Sequence, residues 1–338
     1  MAERAMKALV LETAGGPESA VLRDEPLPTP RAGEIRVALK ASSLNHRELW
    51  ICRGQYPNMK LPCILGADGA GVVAEIGPNV DPALKGREVV LYPGLHWGAD
   101  PRFPSKSFAL LGVPLPGTIA EAICVPAENA FAKPKGLSFA EAAALPTAAL
   151  TAWRGLFGKG GLERGDRLLV TGIGGGVATF ALMFGVAAGA DVYVTSGSEE
   201  TLAKAAALGA KAGFIYREAG WRKALQQASG GVNVVFDGAP TTGLPEYSRA
   251  LAMGARIVIY GSTGGVNMTM AAPDFFLRHA TIFGTAMGDL TDFAAMLRFV
   301  EEHGLRPVIE KTYRLDQAKD ALLHLEGAHG IGKIVIEH

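Results

Sequence analysis

The sequence predicts an α/β protein of two domains, a β-rich part followed by a doubly wound parallel sheet. Three observations predict it. The chain has 338 residues, more than one hydrophobic core usually serves. Its first third consists of short apolar runs broken by Pro and Gly, whereas from about residue 138 Val/Ile/Leu-rich runs alternate with helical patterns. One junction, "RLLVTGIGGGVATFALMF", carries an apolar strand through four glycines directly into a helix.

In chain order, "KALVL" and "EIRVALKASSL" read as strands joined by the Pro-rich "DEPLPTPRAGE". "GAGVVAEIG" and "REVVLYPG" continue the β pattern. Residues 96–117 show no clear period and read as a long excursion loop, a kind often functional in compact domains. "TIAEAICVPAENAFAKP" returns to strands. Ser138 with Glu141 three residues on forms a capping box that opens an alanine-rich helical stretch.

Strand and helix then alternate: "RLLVTGI", a helix over 176–188, "DVYVTS", a helix ended by Gly209, "AGFIY", "WRKALQQAS" and "VNVVFDGA". A helix over "LPEYSRALAMG", the strand "ARIVIYG" and a helix-to-strand segment "FFLRHATIFGTAM" follow. Strands of continuous Val/Ile/Leu are those of a parallel sheet covered on both faces. The tail reads as strand, helix, strand and rejoins the first domain.

Charge excludes some classes of partner. Lys+Arg and Asp+Glu both number 33, so nothing in the net charge draws nucleic acid or an anionic membrane surface. Local sites for a small molecule are expected instead. Cys52, Cys63 and Cys124 fit no disulfide framework and no CxxC metal knuckle, which points to the cytoplasm. The N-terminus is too polar for a signal peptide, and the longest apolar stretch, 180–190, is about half of a membrane span.

The glycine junction is the strongest local motif. Glycine lets a backbone approach a pyrophosphate, and the helix that follows offers free N–H groups and a favourable dipole. The usual dinucleotide fingerprint fits in no frame; the spacing that works is Gly172-x-x-Gly175-x-x-Ala178. Gly172, Gly174, Gly175, Gly176 and Val177 are therefore expected at the cofactor. NAD binders usually end the next strand with an acid for the ribose 2′-hydroxyl. Here it ends with Thr195, Ser196 and Gly197, which leave room for a 2′-phosphate and favour NADP(H). Lys204 and Tyr216 are the candidate partners of that phosphate.

Five stretches, "ASSLNHRELWICRGQYP", "LPCILGADGAGVVAEIGPNV", "GTIAEAICVPAENAFAKP", "EAAALPTAALTAW" and "GGVNVVFDGA", together resemble the medium-chain dehydrogenase/reductase superfamily over essentially the whole chain. The resemblance implies a GroES-like catalytic domain over 1–132 and 305–338 and a Rossmann cofactor domain over 133–304. Where the zinc branch has a ligating Cys, this chain has Asn45; where it has Gly-His-Glu, this chain has Gly66-Ala67-Asp68. Ala67 has no ligand atom, so no metal is expected. The cysteine-rich structural-zinc lobe is replaced by the cysteine-free 96–117.

The zinc-free branch, which resembles this chain more, comprises quinone oxidoreductases and enoyl or alkenal reductases. It implies hydride transfer from NADPH to an activated C=C or a quinone. By resemblance Tyr56 is a proton donor or lines the cleft, and Asn45 hydrogen-bonds near the substrate carbonyl. Thr151, Gly261, Ser262, Thr263, Gly284, Thr285 and Lys333 are implied as further cofactor contacts. His46 and Asp68 are read as structural, Asp68 as a buried acid satisfied by backbone N–H groups. His96, Trp97 and Phe103 are candidates for substrate selection. A homodimer or homotetramer is implied, paired through "ATIFGTAM". Two other readings stay open: an alcohol dehydrogenase or carbonyl reductase, and an idle NADPH-binding structural protein.

Overall fold

A computed structural model describes residues 4–327 and 330–338. The chain forms two compact units, one of Met1–Thr147, Asp289–Ala328 and Lys333–His338, the other of Ala148–Gly288 and His329–Gly332. Relative to the sequence reading, three segments change sides: residues 133–147, 289–304 and a short stretch before Lys333. The helix Phe139–Ala143 packs on the strands Glu34–Ser43 and Asp68–Ile76 of the β-rich unit. Phe293, on the helix Leu290–Glu302, packs against Tyr92 at 5.6 Å and Phe131 at 5.0 Å. Apolar contact, rather than the change in sequence texture, sets these boundaries.

The β-rich unit is built on a sheet whose order is Ala130–Ala132, Glu88–Leu91, Asp68–Ile76, Glu34–Ser43, Lys333–Glu337, Ile309–Arg314, with Ala122–Pro126 also pairing on Glu34–Ser43. The tail does rejoin this unit. Its last strand lies antiparallel to Glu34–Ser43, with Val335 opposite Ser43. On the other side of the same strand, Ser43 lies opposite Asp68. Residues 96–117 are not a featureless loop: Gly94–Leu95, Ala109–Leu111 and Pro114–Leu115 make a small sheet. Such two- and three-residue strands leave too little periodicity to read from sequence.

The second unit is a six-stranded parallel sheet in the order Ala212–Ile215, Asp191–Ser196, Arg167–Val170, Val232–Asp237, Leu251–Ile259, Thr281–Gly284. This is the doubly wound order of dinucleotide-binding folds. Its central strands are apolar on both faces, with Leu168, Leu169, Val170, Val234, Val235 and Phe236 all fully buried. One expected helix is shorter at its C-terminal end. "LPEYSRALAMG" gives α-helix only to Tyr247, a 3₁₀ turn over Ser248–Ala250 follows, and Leu251 opens a strand opposite Val232. Gly254, at φ +70°, sits in the irregular stretch before the register resumes at Arg256.

Candidate active site

In the parallel-sheet unit, the glycine loop follows the strand Arg167–Val170. Gly172 and Gly174 adopt φ of +60° and +149°, which L side chains rarely allow. Gly175 is the N-cap of the helix Gly176–Ala187, and no side chain caps it. That leaves first-turn N–H groups to a ligand or to water. No atom lies within 4 Å of where a Cβ would stand on Gly172 or Gly175. Val177 is half-buried in the first turn. Thr195, expected at the cofactor, is buried; its hydroxyl accepts from Gly172 N–H at 3.0 Å and braces the loop.

At the end of the next strand, Ser196 is buried and its hydroxyl accepts from Ser198 N–H at 3.2 Å. A Cβ on Gly197 would lie 2.8 Å from the Tyr216 hydroxyl and 3.6 Å from the Arg217 guanidinium carbon. Arg217 also covers the Tyr216 ring, 5.6 Å from its centroid. Lys204 instead pairs with Glu200 at 2.7 Å on the exposed helix surface. The cation nearest the strand end is therefore Arg217, which the sequence reading passed over. Its signal was only its place directly after Tyr216.

Gly261, Ser262 and Thr263 follow the strand Leu251–Ile259, and Thr263 N–H donates to Gly238 O at 3.0 Å. Thr151 Oγ1 lies 4.0 Å from Met287 Sδ. Gly284 ends the edge strand and has open space around it. Beside it, Thr285 Oγ1 is buried and has no hydrogen-bond partner among the described residues. An orphaned hydroxyl, unfilled glycines and an uncapped helix fit a dinucleotide. Asp237, missed in the sequence, organises this end of the sheet. Its carboxylate accepts from Thr171 Oγ1 at 2.5 Å, Ala239 N–H at 2.8 Å and Tyr247 OH at 2.7 Å.

In the β-rich unit, a second cluster forms where the strand Glu34–Ser43 ends. Asp68 is fully buried. Its Oδ1 accepts from Thr147 N–H at 3.0 Å and Thr147 Oγ1 at 2.5 Å. Its Oδ2 accepts from Asn45 Nδ2 at 2.9 Å, Ser43 Oγ at 3.2 Å and Lys333 Nζ at 3.4 Å. Side chains, more than backbone N–H groups, satisfy this acid. Asn45 precedes the helix His46–Cys52 and its N–H donates to Glu48 Oε2 at 2.7 Å. His46 is exposed.

Lys333, implied by the resemblance as a cofactor contact, has its ammonium among polar groups of the β-rich unit. It is 3% exposed, and its ammonium donates to Asn45 Oδ1 at 2.5 Å and Leu44 O at 2.7 Å. Burial pushes its pKa down, against the pull of Asp68 and Glu48. Burial likewise raises Glu48, against Arg47. Arg47, another residue the sequence reading missed, donates to Leu111 O at 2.8 Å, to Glu48 Oε1 at 3.3 Å and to Tyr56 OH at 3.3 Å. Among the substrate-loop candidates, Trp97 is buried edge-on to Phe108 at 5.2 Å, and Phe103 is exposed. His96 stands at φ +61° in that segment.

Family models match both halves of the chain. An alcohol dehydrogenase GroES-like domain matches residues 31–135, and a zinc-binding dehydrogenase domain matches 176–302. A zinc-type alcohol dehydrogenase-like protein, YogA, of Leptosphaeria maculans is 36% identical over 92% of both chains. The chain belongs to the medium-chain dehydrogenase/reductase superfamily. Within that superfamily it is also similar to a solved NAD-dependent alcohol dehydrogenase, with TM-score 0.93 and 37% identity over 98% of this chain and 100% of the other. Acryloyl-coenzyme A reductase of Sulfurisphaera tokodaii is 27% identical over 98% of this chain and all of its own. Quinone oxidoreductase of Lama guanicoe is 28% identical over 99% and 98%.

The superfamily fixes an oxidoreductase that binds a nicotinamide cofactor. At the two positions where its zinc branch has ligands, this chain has Ala67, fully buried, and Asn45, whose Oδ1 accepts from an ammonium. Among the described residues no three His, Cys, Asp or Glu gather as a metal site requires. No helix among them is long and apolar enough to cross a membrane.

Proposed function

We propose that the protein is a zinc-independent, NADP(H)-dependent reductase of activated C=C bonds (enals, enones, enoyl groups) or of quinones. The observation that carries this reading is the chemistry of Asn45. Its side chain is engaged by Lys333 and Asp68, a neighbourhood built for a neutral amide and hostile to a divalent cation. The likeness to an acryloyl-coenzyme A reductase and a quinone oxidoreductase supports the same class.

The nicotinamide, when bound, supplies the hydride. The protein's part is to bind, orient and handle the proton. Gly172, Gly174, Gly175 and Gly176 would take the pyrophosphate, and Thr285 Oγ1 would meet a polar group of the cofactor. Arg217 and Tyr216 would hold the 2′-phosphate beside Gly197. Asn45 would donate to the substrate oxygen as its charge grows. Tyr56 accepts from Arg47 Nε, so its own proton is free to be given up.

The edge strand Thr281–Gly284 would pair with that of a second copy. Exposed Phe276 and Leu277 beside it supply apolar area for the contact. Free Cys52, Cys63 and Cys124 suit the reducing cytoplasm.

The deciding experiment is cofactor oxidation at 340 nm with enals, enones, enoyl thioesters and quinones, NADH as control, alongside metal analysis. Turnover with NADPH by metal-free protein is expected. Stoichiometric zinc together with alcohol oxidation would establish the alcohol dehydrogenase reading that the names of the relatives favour.

A further inference from the structure

The Asn45 cluster is more restricted than a polar site need be. Lys333 has three donor hydrogens, and three oxygens receive them: Leu44 O, Asn45 Oδ1 and Asp68 Oδ2. The Asp68 oxygens accept from Thr147, Ser43, Asn45 and Lys333, so the acid has no idle lone pair facing a ligand. Asn45 remains. Its Oδ1 is held by the ammonium and one Nδ2 hydrogen by Asp68. A flipped amide would set NH₂ against NH₃⁺ and C=O against a carboxylate, two repulsions in place of two charge-assisted bonds.

We propose that Lys333 is a positioning residue for Asn45. With Asp68 it locks the amide so that a single Nδ2–H is offered to the substrate, and the group that Nδ2–H takes is an accepting oxygen, such as a carbonyl or quinone oxygen. The cation at Oδ1 and the anion at Nδ2 both favour the charge-separated form of the amide. That form makes the remaining N–H a stronger donor to an oxygen gaining charge. The sheet register delivers the arrangement. Val335 lies opposite Ser43, and continuing that antiparallel pairing by two residues sets Lys333 opposite Asn45.

The substrate half of this proposal rests on the reductase reading; the amide half does not, and the two are tested separately. The full-length protein is labelled with ¹⁵N-asparagine, and the Asn45 side-chain signal is assigned by its loss in Asn45→Ala. In the wild type that signal should show two well-separated protons in slow solvent exchange. In Lys333→Met it should broaden or move to the exposed-amide region. Lys333→Met alone strands a buried carboxylate, so Lys333→Met/Asp68→Asn, which leaves no unpaired charge, is the second variant.

In kinetics, Lys333→Met should lower kcat by roughly tenfold to a hundredfold with the cofactor KM unchanged. That loss should vanish in an Asn45→Ala background. A wild-type Asn45 signal in either folded variant overturns the proposal, and so does a kcat loss that persists without Asn45. A wild type that reduces no unsaturated carbonyl or quinone, but shows the locked amide, overturns the reductase reading and the acceptor-oxygen claim, leaving the positioning role standing.

Discussion

The Arg47 guanidinium lies 4.8 Å from the ring centroid of Tyr56 and donates its Nε–H to the phenol oxygen at 3.3 Å. The same side chain is tied to Leu111 O and Val113 O, so the small sheet of the former "loop" helps to aim the tyrosine. Tyr56→Phe should lower kcat for an enone by about 10²-fold, the usual worth of a placed proton donor, with the cofactor KM unchanged. An unchanged kcat would reduce Tyr56 to a wall of the cleft.

Arg47 also faces Glu48, which is completely buried. Removing the cation leaves that carboxylate without its charge partner, at a cost of about 3–5 kcal/mol. Arg47→Met should therefore lower the melting temperature sharply. Arg47→Met/Glu48→Gln should recover most of the loss, and differential scanning calorimetry of both variants measures it.

Arg217 is exposed and lies over the Tyr216 ring beside Gly197. Arg217→Ser should raise the KM for NADPH by roughly 10- to 100-fold, the size of one charge-assisted phosphate contact, and leave that for NADH unchanged. Lys204→Ala should change neither, because Lys204 pairs with Glu200. The paired KM values decide which cation reads the 2′-phosphate.

The thiols set an alkaline limit. Burial raises the thiol of Cys52 to about 12 and those of Cys63 and Cys124 to about 11, above the ordinary thiol range. In the native state these thiols keep their protons, while in the unfolded chain they lose them from about pH 9 upward. Their contribution is therefore complete below pH 9 and is lost as pH rises toward 11–12. Buried Tyr247, raised by burial and by Asp237, adds the same sign above pH 10. Urea midpoints should fall progressively above pH 9, and Cys52→Ala should flatten the fall. A disulfide-exchange reagent at pH 8 should leave Cys52 unmodified in folded protein.

The edge strand gives a last test. Phe276→Asp/Leu277→Asp places charge on the exposed apolar residues next to Thr281–Gly284. If the proposed pairing forms, light scattering should show a smaller mass than that of the wild type. An unchanged mass would overturn pairing through this surface.

What was legible in the sequence was local. The strand–glycine–helix junction, the capping box at Ser138 and Glu141 and the alternation of strands and helices are each set by neighbours within a few residues. Backbone strain at Gly172 and burial of the central strands follow from residue type alone. The absence of a ligand atom at Ala67 was equally plain, because it needs no partner to be true.

Contacts across long separations were not legible. Lys333 meets Asn45 across 288 residues and Asp68 across 265. Only the antiparallel register of the last strand on Glu34–Ser43 brings them together, and a one-residue slip would turn Lys333 to the opposite face. Arg47 was hidden because its carbonyl partners Leu111 and Val113 lie far along the chain, and Arg217 because strand pairing brings it to Gly197. The sequence by itself determined the strand–glycine–helix junction and the ligand-free side chain at Ala67, because those follow from residue type and short-range spacing, while its resemblance to a family implied the oxidoreductase class. The tertiary structure decided which cation meets Asn45 and which cation lies beside Gly197, because strand register and loop packing place charges that no local pattern can.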